Sequence, residues 1–267
     1  MSELKVRASS WPSVFDCAHR FEGEQILGMR KPSGLRAQLG TSVHAGTAAF
    51  DQAVLDGARI TPDEAAEHVM DSLHHPKGEV DYKQDENLTL KDAERIALTL
   101  HTMYCTTVAP QFVYESVEMT LEPYRIDCGN DLVIVLTGSM DRARVATTER
   151  GVVIPDIKTG LRIVEQGAVN LKGKAAQCGT YQLMFENTTS RPTAGSQIIA
   201  LPTSTKPVAM VSPIFDAKRV MVGTDESPGL IEYAAAMFKT GLFPPNPSST
   251  LCSQKYCARW NSCSFHA

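Results

Sequence analysis

Three observations predict a mixed α/β fold. Apolar residues recur at helical spacing through most of the first 110 residues. The pattern switches after Pro110 to alternating and continuous apolar runs, and helix and strand signals then alternate to the end. A chain of 267 residues with 43% hydrophobic composition can bury the core of one domain with a helical attachment. The formal charge of −4 gives no global signature of nucleic-acid binding; local Arg and Lys patches act only within a Debye length of about 8 Å. No apolar run approaches the roughly 18–20 residues of a spanning helix. Met1 to Trp11 lack the apolar stretch of a secretory signal, so a cytoplasmic location without a membrane partner is expected.

Taken in order, Ala8 to Phe21 has the look of a short capped helix with aromatic anchors, and Arg30, Lys31 and Arg36 surround a Pro-Ser-Gly turn as either a phosphate-facing patch or a solvated loop. Ala37 to Leu55 carries apolar and small residues at helical spacing, with His44 in its middle. Thr61-Pro62-Asp63-Glu64 is a capping box with proline at the first helical position, so a second helix starts there. His74 to Glu86 is polar, contains Pro76 and Gly78, and is expected to be a mobile excursion. Thr89 with Asp92 opens a third helix, whose face is marked by Leu90, Ala93, Ile96, Ala97, Leu100 and Tyr104.

Beyond Pro110, Val113 to Leu121 alternates, Leu132 to Leu136 leads through Asp141 to Val145, and Gly151 to Ile157 follows, with turns at Asn130-Asp131 and Glu149-Arg150-Gly151. A three-stranded meander is predicted. Lys172 to Glu186 returns to helix, Ser196 to Leu201 and Val208 to Phe215 are strands, and Ser227-Pro228 opens a last helix that Gly241 stops. Phe243 to Pro247 is a stiff connector into a cysteine-rich tail. This order divides the chain into a helical part at 1–110, a core at 111–241 and a tail at 242–267 that packs back on the helical part.

In the strand Val152 to Lys158, alternation places Asp156 and Lys158 on one side and turns Ile157 into the core. Alone, that pair is a surface salt bridge. It gains company from His44 on an early helix, Asp141 at a strand end, and Gln177 with Tyr181, four apart on one helical face. The motifs Gly40-Thr41-Ser42-Val43-His44, Gly138-Ser139-Met140-Asp141-Arg142, Pro155-Asp156-Ile157-Lys158-Thr159-Gly160 and Gln177-Cys178-Gly179-Thr180-Tyr181-Gln182 stand in the order of the RecB-like branch of the PD-(D/E)XK nuclease superfamily, which the chain resembles.

That resemblance implies a restriction-endonuclease-like core with a mixed central sheet flanked by helices. It also implies a metal-dependent DNA exonuclease that hydrolyses phosphodiester bonds at DNA ends, single strands in particular, in recombination, repair or phage DNA metabolism. Hard oxygen ligands with one imidazole suit Mg²⁺ or Mn²⁺, so His44, Asp141, Asp156 and the carbonyl of Ile157 are the implied metal ligands. Lys158 is implied to orient water or stabilise developing charge, with Gln177 and Tyr181 positioning the scissile strand or supporting the site. Arg142 either holds a phosphate or pairs with Glu118, and Glu118 is either a further acid of the site or a solvated carboxylate. The same parts serve structure-specific endonucleases. A non-catalytic nucleic-acid-binding or assembly module is the rival reading, although such a module usually loses the acid or the lysine, and both are present.

Seven cysteines in a chain without an export signal argue against a disulfide framework. Cys252, Cys257 and Cys263 crowd the tail and meet Cys17 only if the two ends of the chain converge; four thiolates suit a [4Fe–4S] cluster or Zn²⁺, with free buried thiols as the bland alternative. The iron–sulfur members of the RecB-like branch, in CRISPR adaptation and of AddB type, place one Cys before the nuclease core and three after it, as here. This chain departs from them in placing four residues between Cys252 and Cys257, where two are usual. Cys105, Cys128 and Cys178 are expected to pack as small hydrophobes. The resemblance leaves room for a helicase or recombination partner and says nothing of oligomeric state.

Overall fold

The computed structural model describes residues 2–145 and 151–266. Strand β1 (Ser2–Arg7) comes first, a strand that sequence periodicity did not reveal. It pairs in parallel with a strand 130 residues away, from Ser2↔Leu132 to Arg7↔Thr137. Ala8 to Phe21 is two helices, α1 (Trp11–Asp16) and α2 (Ala18–Phe21), broken where Cys17 becomes extended at φ −149° and ψ 96°. Trp11 and Phe21 are fully buried anchors, as their size favours. A π-helical turn at Glu22–Ile26 follows, and then β2 (Ser33–Gly34).

The helical layer is α3 (Leu35–Leu55), α4 (Pro62–His74) and α5 (Leu90–Met103), extended by a π-helical turn at Tyr104–Val108. The Thr61 hydroxyl accepts the Glu64 N–H at 3.2 Å while the Glu64 carboxylate accepts the Thr61 N–H at 2.8 Å, completing the capping box. The stretch between α4 and α5 is anchored, contrary to the expected mobile excursion. Its β3 (Val80–Asp81) pairs with β2, and buried Asp85 accepts the Arg36 N–H at 2.9 Å. A carboxylate at the start of α3 satisfies a donor that Gly34, with no side chain, leaves open.

Strands β4 (Tyr114–Thr120), β5 (Tyr124–Asp127), β6 (Leu132–Thr137), β7 (Ser139–Val145) and β8 (Val152–Thr159) follow. The predicted run from Leu132 to Val145 divides at Gly138. Its first half joins a three-stranded sheet in the order β1-β6-β5, closed by left-handed Asn130 and Asp131 in the hairpin turn. Its second half joins the main sheet, so the meander β4-β7-β8 holds with a hairpin inserted into it. Glu149 and Arg150 of the next predicted turn lie outside the described residues.

A short hairpin, β9 (Val164–Glu165) with β10 (Ala168–Val169), precedes α6 (Ala175–Thr189). The main sheet ends with β11 (Thr193–Leu201), parallel to β8, and β12 (Met210–Val211), which is all that forms of the strand expected over 208–215. Its order is β12-β11-β8-β7-β4. Helix α7 (Lys218–Val222) was not foreseen, and Ser227-Pro228 forms β14 of a tiny hairpin with β13 (Gly223–Thr224) rather than opening a helix. Helix α8 (Leu230–Thr240) starts at Gly229, whose N–H the Glu232 carboxylate accepts at 3.0 Å, and stops at left-handed Gly241.

The main sheet is covered on both faces. On one, Ile154 and Met140 pack with Tyr181, Met184 and Phe185 of α6 and with Ala234 of α8. On the other, Ile157, Ile199 and Leu201 pack with Leu39 and Val43 of α3, Leu73 of α4 and Leu100 of α5. Ile154 and Ile157 of β8 therefore serve opposite layers, which sends Asp156 and Lys158 to the α6 side. Among the described residues, no helix is long and apolar enough to cross a membrane.

Candidate active site

Two ladders of unequal length create the site. β8 is matched to β11 along its whole length, from Thr193↔Val152 to Leu201↔Thr159. Against β7 it pairs through Arg144↔Val153 and Val145↔Val152, and the two strands then fork. Across the open end, the Asp141 carboxylate accepts the Ile157 N–H at 2.7 Å, so a side chain replaces the missing ladder bond. His44, from the middle of α3, brings Nδ1 to 3.4 Å from the same Asp141 oxygen.

Glu118 completes this group, and pattern alone did not place it there. It lies on β4 between the pairs Val117↔Arg142 and Met119↔Met140, opposite Asp141, with φ at +49°. The left-handed conformation costs a residue with a side chain about 1–2 kcal/mol. Such strain concentrates where a side chain must be aimed against its strand's pleat. His44, Glu118 and Asp141 are, among the described residues, the one set of three His, Cys, Asp or Glu side chains whose ligand atoms all lie within 4.8 Å of one another. Burial alone would raise the Asp141 carboxyl, but His44, Lys158, Arg142 and the Ile157 N–H outweigh it and hold it below the usual carboxylate range. Glu118 is pushed up, by burial first and then by Asp141.

Asp156 stands beside this trio rather than within it. Its fully buried carboxylate meets Lys158 Nζ at 2.7 and 2.9 Å. Burial raises Asp156 and Asp141 adds to the effect, with Lys158 opposing. Burial pulls Lys158 down, but the two aspartates outweigh it and keep its pKa raised. Gln177 Nε2 donates to the Tyr181 hydroxyl at 3.0 Å, and Tyr181 is held high by burial and then by Asp156 and Asp141, which places this α6 pair behind the carboxylates. Lys174, at the start of α6, is a further cation of the site that sequence reasoning did not single out; burial and then Lys158 lower its pKa. Ile157 contributes its N–H to Asp141, the contact described for its backbone at the fork.

Arg142 is fully buried and so is withdrawn from any phosphate. Its Nε lies 2.6 Å from Asp51 of α3, its guanidinium also reaches the Thr47 hydroxyl and Glu118 at 3.4 Å, and the Tyr104 hydroxyl donates to Asp51 at 2.5 Å while lying 3.0 Å from the Tyr114 hydroxyl. His44, Thr47 and Asp51 fall at i, i+3 and i+7, one face of α3. The buried network thus fixes the helix that carries His44 against the strand that carries Asp141.

Cys17, Cys252, Cys257 and Cys263 line one cavity between α1, α2 and the tail. The Asn246 N–H lies 3.4 Å from the Cys17 sulfur, the Asn246 amide donates to the Asp16 carbonyl at 2.8 Å, and the Ser249 hydroxyl donates to the Asp16 carboxylate at 2.6 Å. Cys105 and Cys178 are buried elsewhere, and Cys128 is partly buried.

Residues 8–264 match the profile of the PD-(D/E)XK nuclease superfamily. The chain belongs to that superfamily. The sheet flanked by helices on both faces is its restriction-endonuclease-like fold. A solved structure, that of a candidate exonuclease from Eubacterium rectale, is 14% identical to this nuclease, with a TM-score of 0.49 over 92% of this chain and 86% of that one. No curated protein matches the chain.

Proposed function

We propose that this nuclease is a metal-dependent deoxyribonuclease that hydrolyses phosphodiester bonds at DNA ends, with a single strand as its substrate. The observation that carries the reading is the convergence of His44, Glu118 and Asp141 at the β7–β8 fork, with Asp156 and Lys158 flanking Ile157 on strand β8. One imidazole and hard carboxylate oxygens fit Mg²⁺ or Mn²⁺, and the strained backbone of Glu118 is spent on adding its oxygens to that set. His44, Asp141 and Glu118 would hold the ion, with Asp156 and the Ile157 carbonyl beside it, and when bound it would supply Lewis-acid chemistry and offset charge at the phosphate. Lys158, kept in place by Asp156, orients water and offsets charge that develops on the transferring phosphoryl oxygens. Gln177 and Tyr181, hydrogen-bonded to each other on α6, stand within electrostatic reach of Asp156 and Lys158 and support the site from that side.

The tail cysteines support a second assignment, a structural [4Fe–4S] cluster held by Cys17, Cys252, Cys257 and Cys263. The residues fit the group: four thiols line one cavity, and Cys17 occupies the break between two helices, where its sulfur meets the Asn246 N–H of the tail at 3.4 Å. Tetrahedral Zn²⁺, with Zn–S bonds of about 2.3 Å, is the alternative occupant of the same four thiols.

The test is digestion of end-labelled single-stranded, duplex and circular DNA with Mg²⁺, Mn²⁺ or EDTA, for the wild type, Asp156→Ala and Lys158→Ala. Metal-dependent release of nucleotides from linear single strands, lost in both variants, is the expected result. Activity in EDTA, or full activity in either variant, overturns the mechanism. Cleavage of circles as fast as of linear strands overturns the end requirement.

A further inference from the structure

We infer that the four residues between Cys252 and Cys257 build one wall of a groove that guides a single DNA strand to the site, with Tyr256 as a stacking platform for a base. The inference rests on the nuclease reading above and extends it to the path of the substrate.

Two open grooves meet at this segment. One, of about 710 Å³, begins next to the site: its lining includes Gly40, one helical turn before His44, and Thr159, the residue after Lys158, and it continues over Leu161 and Arg162. The second, of about 430 Å³, is lined by Arg7, Arg30, Lys31 and Lys255, against Glu24 as its acid. Glu24 is turned to Arg20 at 3.9 Å. Ala37 and Tyr256 belong to both linings, so the two grooves run on into one another past the Tyr256 ring.

This segment is held to the helical part. Lys31 donates to the Gln254 carbonyl, the Gln84 amide donates to the Lys255 carbonyl at 3.4 Å, and Lys255 Nζ lies 3.7 Å from buried Asp85. Lys255 also stands 5.0 Å from the centroid of the Tyr256 ring, so a cation and an aromatic surface are presented together. Across the junction, Leu161 is 65% exposed.

Charge identifies the ligand class. In a chain of net charge −4, a continuous groove bordered by Arg7, Arg30, Lys31 and Arg162, with Arg36 and Lys255 sharing Asp85 at 3.5 and 3.7 Å, is a local excess of positive charge that a phosphodiester backbone complements. The exposed ring of Tyr256 and the exposed Leu161 select a single strand, because a duplex hides its base faces in its own stack. Neither a duplex nor a small anion needs an apolar wall in a basic groove.

The experiment measures binding apart from cleavage, by fluorescence anisotropy of labelled oligo-dT and of a blunt duplex in EDTA, on the full chain with its bound cofactors. Tyr256→Ala weakens oligo-dT binding about tenfold, as loss of one base stack does, and Tyr256→Phe restores it. Arg162→Ala, outside the tail, and Arg30→Ala with Lys31→Ala weaken binding and flatten its salt dependence by about 0.7 for each phosphate no longer neutralised. Arg191→Ala, at the far end of β11, binds as the wild type. The inference is overturned if Tyr256→Ala and Arg162→Ala both bind as the wild type, if Arg191→Ala loses as much, or if the duplex binds as tightly as the single strand. Loss of binding in the groove variants of a chain that cleaves nothing keeps the groove and removes the catalytic reading. Cleavage with undiminished binding in those variants does the reverse.

Discussion

The buried Arg142–Asp51 pair is the contact on which the register of α3 against β7 turns, and Asp51→Asn isolates it. The substitution keeps shape and removes the charge that faces Arg142 Nε at 2.6 Å, while Arg142 stays fully buried. Its remaining partners are Glu118, half-exposed at 3.4 Å, the Thr47 hydroxyl and the Asp141 carbonyl, which do not replace a buried carboxylate. Breaking one member of a buried pair costs about 3–5 kcal/mol. For a chain of this size that is a fall in melting temperature of roughly 6–20 °C. Asp51→Leu with Arg142→Met removes both charges and recovers most of the loss, because an apolar pair of similar volume is often neutral or stabilising; the Tyr104 hydroxyl keeps Tyr114 at 3.0 Å as a partner. Cleavage does not recover with it, since nothing then keys His44 to Asp141. Thermal and urea unfolding, run beside cleavage at saturating DNA, separate the two effects. If Asp51→Asn melts within about 1 kcal/mol of the wild type, well under the cost of a broken buried pair, or if the double variant regains full turnover, the account of this network is wrong.

Glu118→Gly relieves left-handed strain of about 1 kcal/mol, which offsets the lost contact to buried Arg142, while abolishing metal-dependent cleavage; wild-type turnover in that variant would remove Glu118 from the site. Glu186 on α6 accepts the Lys218 ammonium at 2.8 Å and the Thr193 N–H at 3.0 Å, and although burial pushes its carboxyl up, these donors outweigh it and hold it below the usual range. A depressed carboxyl contributes stability that is complete above the unfolded pKa of about 4.3 and is lost as pH falls through the folded value. Glu186→Gln therefore melts below the wild type at about pH 7, and the gap closes beneath about pH 4; a gap unchanged down to about pH 3 contradicts this. Cys257→Ala, purified without oxygen, loses brown colour, bound iron and melting temperature together, whereas an iron-free, colourless wild type ends the cluster assignment.

Local physics made much of the fold legible. The Thr61–Glu64 box, the Thr89 cap and the left-handed Gly241 act within a turn of the chain, and each marks a helix end where expected. The alternation of β8 put Asp156 and Lys158 on one side and Ile157 on the other, as the two core layers show. What stayed hidden depends on distant partners. Strand β1 has only Leu4 and Val6 among polar neighbours and exists because β6 offers it a ladder. Asp85 is polar in a polar stretch and is ordered because α3 starts beside it. Glu118 is half-exposed and also faces Asp141, so both readings of it hold in part; strand alternation could not aim it there because its φ of +49° departs from extended backbone. Arg142 was weighed between a phosphate and Glu118, while its main partner, Asp51, lies on a helix 91 residues away.

The fork between β7 and β8 has a mechanical consequence. One jaw is stiff, since β8 is laced to β11 along its whole length, and the other is β7, backed by β4 and joined to β8 at its far end alone. The bond from Ile157 to Asp141 spans the mouth, and a single hydrogen bond is worth only about 1 kcal/mol net. Exchanging that N–H for a stronger ligand at Asp141 therefore breaks no rung of either ladder. Under the metal-binding reading proposed above, His44 and Glu118, which approach Asp141 from α3 and β4, would then set which ions the fork holds.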